Sequence, residues 1–211
     1  MLRSLVRWSL CLGLILAGIC AFAQSEFSAE MYDLQKGDAS QAKMYFGKDK
    51  MRFESTRKDA RGGGAVIVNL STQTTTVLMD AQHMYMEVPQ QMAAQRNPYA
   101  TNFFHTGDAE AACSDWAQHY RTDGSSCHKV GSDTVNGRSC VKYEATNKSG
   151  DVTTFWIDPK LRFPIKGKDK SSSWELRNIQ EGAQPASLFE VPAGYTKFDM
   201  GNMGGAMQRP Q

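Results

Sequence analysis

VTTFWIDPKLRFPIKGKDKSSSWELRNIQEGAQPASLFEVPAGY, residues 152–195, decides the fold, because its short apolar runs recur between turn signals as an antiparallel meander does. Val152 to Ile157 is β-branched and aromatic and stops at Asp158-Pro159, where proline lacks the amide that a ladder needs and Asp favours a turn. Phe163 to Lys168 alternates, with Phe163, Ile165 and Gly167 on one face and Pro164, Lys166 and Lys168 on the other. On a third strand Trp174, Leu176 and Asn178 oppose Glu175, Arg177 and Ile179. A sheet that is wet on one side must cover the other.

Trp156, Asp158, Pro159, Phe163 and Pro164, followed by Leu188, Phe189, Pro192, Gly194 and Tyr195, form a series of motifs. In them the chain resembles an exported bacterial family of unknown function related to the Lol outer-membrane lipoprotein carriers (LolA/LolB-like). The likeness runs back through VNGRSCVKYE at 135–144 and faintly to Phe27. It implies a mainly β fold: a strongly curved, half-open antiparallel β-barrel with a helical lid or plug over an apolar cavity, the shape in which the carriers hold acyl chains.

At the other end, Arg3 and Arg7 precede an apolar segment from Trp8 to Ala23 that closes on Ala21-Phe22-Ala23, the layout of a secretory signal peptide. As a helix those sixteen residues would span roughly 24 Å, short of the ~30 Å hydrocarbon core of a bilayer. Cleavage after Ala23 is expected, with no membrane span afterwards. Ile19 before Cys20 argues against lipidation there. The expected location is periplasmic or secreted. Residues 24–211 then carry 22 basic and 22 acidic side chains, a balance that argues against nucleic acid as partner. Their length suits one domain, here placed at 24–198, with a flexible Gly- and Met-rich tail at 199–211.

From Phe27 to Val88 strand follows strand: 27–34, 42–46, 51–54, 65–70, 74–79 and 84–88. The C-terminal part adds five more, and eleven strands must curl. Between Pro89 and Cys127 the period becomes helical, in Gln90 to Gln95 and Ala109 to Tyr120. Ala109, Ala112, Cys113, Trp116 and Tyr120 share one side of the second helix, with Asp108 as its cap, so 89–127 reads as a lid insertion in which Ala112, Trp116 and Tyr120 face the sheet. The three glycines at 62–64 lack the Lys-Ser/Thr of a phosphate loop.

Three cysteines remain after the leader. If Asn136-Gly137 centres a hairpin, Cys140 lies opposite Asp133, Cys127 is roughly 20 Å away, and a Cys113–Cys127 disulfide is favoured. A turn at Ser132-Asp133 would instead bring Cys127 to Cys140. No catalytic constellation is found: His83, His105, His119 and His128 lack zinc-peptidase spacing, and Cys113 and His119 fall on different faces of the helix. The expectation is a protein that is not an enzyme and needs neither cofactor nor metal.

Met44, Phe46, Met51, Phe53, Met84 and Met86 form the expected cavity wall, since flexible thioethers suit an adaptable surface. Lipid or lipoprotein acyl chains are the expected ligand. The alternative is an envelope module, its barrel packed shut, that recognises or senses another protein. A minor alternative takes His83-Met84-Tyr85-Met86 and the tail's Met200, Met203 and Met207 as thioether ligands for Cu(I).

Overall fold

The computed structural model describes residues 25–37, 39–56, 63–89, 92, 109–114 and 125–198. The expected leader at 1–23, the expected tail at 199–211 and most of the expected lid insertion, including Trp116 and Tyr120, lie outside the described residues. The strands are β1 (Phe27–Asp33), β2 (Ser40–Phe46), β3 (Lys50–Ser55), β4 (Gly64–Asn69), β5 (Thr74–Met79) and β6 (Met84–Pro89), then β7 (Ser126–Val135), β8 (Arg138–Thr146), β9 (Val152–Asp158), β10 (Phe163–Lys168), β11 (Ser173–Glu181) and β12 (Thr196–Lys197). They form one sheet in the order β12-β6-β5-β4-β3-β2-β1-β11-β10-β9-β8-β7.

Two meanders, β1 to β6 and β7 to β11, are thus joined by the antiparallel pairing of β1 with β11. Among the described residues the two outermost strands do not pair with each other, so the sheet stays open. This fits a curved, half-open barrel. The eleven expected strands are all present, and β12, parallel to β6, is a twelfth that the sequence did not announce. A two-residue strand in a loop of mixed polarity carries no period to read.

The β7–β8 hairpin turns at Asn136-Gly137, with φ of 50° and 77°, as a two-residue type I′ loop requires. Cys140 therefore pairs with Asp133, while a bulge between Lys129 and Gly131 sets Cys127 against Ala145. The disulfide joins Cys113 to Cys127, with Cα atoms 5.4 Å apart, and Cys140 stays free and buried.

A second bulge changes the reading of β11. Asn178 takes φ 53° where β11 passes β1, and the register slips between Ser28 and Glu30. Contrary to simple alternation, Ile179 packs against the same core as Leu176, and the exposed Asn178 donates a 2.9 Å hydrogen bond to Glu30 Oε2. The left-handed residue resets the alternation by one position, which is how a bulge re-aims side chains.

The main core gathers Phe27, Ala29, Met44, Phe46, Met51, Val68, Cys140, Trp156, Leu161, Phe163, Ile165 and Leu176. Phe27 stacks on Phe46 with centroids 4.2 Å apart, and Phe163 closes on both. A Cβ on Gly167 would stand 2.6 Å from the Trp174 indole nitrogen, so the glycine makes room for that ring. The Asp158-Pro159 turn is held by Asp158 Oδ1, which accepts the amides of Lys160 and Leu161, and Asp158 Oδ2 accepts Arg138 Nε. Arg138 reaches on to Glu181 at 2.8 Å.

Candidate ligand-binding face

Strand register decides whether the six expected wall residues meet. Met86 pairs with Val77, Val77 with Val66, Val66 with Phe53, Phe53 with Met44 and Met44 with Ala29. The neighbouring row runs Val88, Thr75, Val68, Met51, Phe46, Phe27, and Met84 pairs with Met79. All six therefore share one face of the sheet, spread over β2, β3 and β6.

Their burial divides them. Met44, Phe46 and Met51 are at most 2% exposed and lie within the main core, with Phe53 packed against it. Met84 and Met86, near the β12 end of the sheet, are only half-buried. Val66, Val77 and Met79 extend the same face. Alternation along β4 and β5 marks these three, but β4 and β5 hold a single methionine between them and so lack the thioether pattern that singles out β2, β3 and β6. In this apolar row Thr75 is 4% exposed, and its Oγ1 has no hydrogen-bond partner among the described residues.

Of the span 89–127 expected as a lid, Pro89 ends β6, Ser126 and Cys127 begin β7, and the described stretch between them besides Met92 and Ser125 is a 3-10 turn at Ala109–Ala111 continuing helically to Ser114. Ala112 is buried in a separate cluster with Val141, Tyr143, Ala145, Phe155 and Ile157, beside the half-buried Cys113 and Cys127. The disulfide thus pins this short segment to β7, and Glu110 bonds Lys129 alongside. Ala112 packs on residues of β8 and β9, and Trp116 and Tyr120 fall outside the described residues.

The opposite face of β4 to β6 is covered by the closing motif. Phe189, Val191 and Tyr195 pack on Ala65, Ile67 and Leu78, Tyr195 Oη donates to Asp80 Oδ1 at 2.8 Å, and the amides of Thr196 and Phe198 bond the carbonyls of His83 and Tyr85. Arg52 Nη1 donates to the Leu188 carbonyl at 3.0 Å and Nε to Glu54 at 2.7 Å. Arg52 therefore latches the C-terminal strap. Leu188, Phe189, Pro192, Gly194 and Tyr195 are strap residues, with Gly194 at φ 86°.

Burial pushes the Cys140 thiol up to about 11, so it is a packed thiol and not a nucleophile. Among the described residues no three His, Cys, Asp or Glu side chains gather as a metal site. His83 is exposed at a left-handed turn, its ring edge-on to Tyr195 at 5.7 Å. Among the described residues no helix is long and apolar enough to cross a membrane.

A protein from Thermus thermophilus, described as an uncharacterized conserved protein, superposes with a TM-score of 0.53 at 10% identity, over 83% of this chain and 90% of that one. It supports the fold alone. The structural neighbours also include a LolA superfamily protein from Nitrosomonas europaea, TM-score 0.30 at 10% identity over 79% and 89% of the two chains. Another is the Mycobacterium tuberculosis lipoprotein LppX, TM-score 0.39 at 10% identity over 77% and 88%. Both values are too low to speak about ligand or partner. No curated protein matches the chain. Residues 29–161, most of both meanders, match the family described as a domain of unknown function (DUF4412), and the chain belongs to that family.

Proposed function

We propose that the protein is an exported, non-enzymatic carrier that holds a lipid or a lipoprotein acyl chain against the apolar face of its open sheet. The observation that carries this reading is the register: Met44, Phe46, Met51, Phe53, Met84 and Met86 stand on one face, and the half-buried Met84 and Met86 lie toward its open end. Burying each methylene of an acyl chain contributes about 0.8 kcal/mol, so a sixteen-carbon chain gains roughly 12 kcal/mol gross relative to water. Most of that cancels when the donor is a membrane, which lets transfer run on small differences. Thioethers adapt to such a chain without a fixed shape.

Uptake of a fluorescent fatty acid by delipidated protein tests the reading. Met86→Trp should lower uptake severalfold and leave Tm nearly unchanged, since a half-buried site absorbs the larger ring. Absence of uptake by the wild-type protein would end the carrier reading.

A second reading, an envelope module that recognises another protein, is favoured by the close packing of Phe27, Phe46, Met51 and Phe163, which fills the middle of the same face. A negative fatty-acid result together with capture of a defined envelope protein would select it. The Cu(I) reading gains Met79, the cross-strand partner of Met84, whereas Met200, Met203 and Met207 lie outside the described residues. Failure to withdraw Cu(I) from a competing chelator would remove it.

A further inference from the structure

On the face opposite the methionines, a half-open surface groove of about 200 Å³ lies over β2, β1 and β11 beside the bulge at Asn178. Ser28, Glu30, Lys43, Tyr45, Asn178 and Gln180 line it. The pairing explains the convergence: Ser28 stands opposite Tyr45 on one side and Gln180 on the other, and Glu30 stands opposite Lys43. Without the bulge Asn178 would point into the core, and the groove would lose its central amide.

The carboxylate of Glu30 is set in advance. Its Oε2 accepts Asn178 Nδ2 at 2.9 Å and Tyr32 Oη at 3.0 Å, while Oε1 carries neither bond. Tyr32 is steadied in turn by the Arg177 guanidinium, 4.5 Å from its ring centroid. The bonds from Asn178 and Tyr32 hold the Glu30 carboxyl below its ordinary range, so the acceptor stays ionised. A locked acceptor loses little entropy when a ligand arrives.

We propose that this groove is a binding site for a sugar ring. Vicinal hydroxyls each donate and accept, and here a carboxylate acceptor is flanked by an ammonium, two primary amides and two hydroxyl-bearing side chains. Glu30 and Lys43 carry opposite charges on directly paired residues, so together they bring no net charge to the groove and do not select a simple ion. The polar lining is equally unsuited to an acyl chain, which makes this site independent of the carrier reading. Tyr45 supplies an aromatic surface, half-buried, on which a ring can rest.

Saturation-transfer NMR on the purified protein with glucose, N-acetylglucosamine and their β1,4-linked disaccharides tests the assignment. At least one should receive transfer from the wild-type protein. Glu30→Gln removes the charged acceptor, and Asn178→Gly removes the amide while keeping a residue at ease at φ 53°. Each should weaken binding about tenfold or more, the loss expected for a charge-assisted hydrogen bond, with Tm showing that both variants fold. No transfer to any of the four sugars overturns the proposal, as does unchanged binding in a folded Asn178→Gly variant. Binding of phosphoethanolamine in place of sugar would assign the groove to a zwitterionic head group and also overturn it.

Discussion

Thr75 is the residue whose environment most clearly conflicts with its chemistry. Its hydroxyl is buried between Val68 and Val88 with no hydrogen-bond partner among the described residues, and an unmade buried hydrogen bond costs about 1–3 kcal/mol. Thr75→Val keeps the shape and removes that penalty, so urea denaturation should show a gain of about 1 kcal/mol. A loss of stability would mean that the hydroxyl is satisfied in solution. Asp133 is the reverse case. Its carboxyl lies below the ordinary range because Trp156 Nε1 donates to Oδ2 at 2.8 Å and the Thr134 amide donates to Oδ1. Glu181 is lowered likewise by Lys160 and Arg138. For a depressed acid the stabilisation is fully present above the unfolded pKa, about 4, and is lost as pH falls through the lower folded value. Stability should therefore fall below about pH 4, and Asp133→Asn, which cannot titrate, should flatten part of that limb in pH-dependent denaturation curves. An unchanged acid limb would show that the Trp156 bond is not maintained.

Among the elements, the strap from Ala186 to Phe198 does the least obvious work. It covers Ala65, Ile67 and Leu78 and pairs with β6, so a strand that would otherwise end the sheet is partly shielded from other chains. Phe189 is its anchor, and its ring lies 3.1 Å from where a Cβ on Gly47 would be. Phe189→Ala should reduce stability on the order of 2 kcal/mol, a partial version of a fully buried phenylalanine truncation. It should also raise the tendency to aggregate, measured by light scattering during heating. A variant with unchanged stability and scattering would show that the strap is dispensable. At the other end of the sheet the Cys113–Cys127 bond plays a related part, tying the segment that buries Ala112 to β7.

For the molecule as a whole, two meanders meet at β1 and β11, and the chain must bring residues as distant in sequence as Phe27 and Glu181 into register there. The export proposed above is consistent with the Cys113–Cys127 bond, because disulfides persist in oxidising compartments. Intact export should yield a mature protein that starts at Gln24 with a linked Cys113–Cys127 peptide, both measured by mass spectrometry of exported material. A lipid-modified N-terminus at Cys20, or three free thiols, would contradict that expectation.

Sequence alone marked the eleven main strands and offered the Asn136-Gly137 hairpin with the Cys113–Cys127 pairing, because alternation, turn chemistry and strand rise are local properties, while the choice of that turn over one at Ser132-Asp133 was made by the tertiary structure. It also determined that Met44, Phe46, Met51, Phe53, Met84 and Met86 point the same way within their own strands. Tertiary structure alone decided that these strands share one face and that Met44, Phe46 and Met51 are packed shut while Met84 and Met86 remain half-buried. The inward turn of Ile179, the Glu30 groove and the task of Arg52 were likewise settled only there. Each depends on a bulge or on a segment more than a hundred residues away, and neither the left-handed φ of Asn178 nor the path of the strap leaves a periodic trace in the chain.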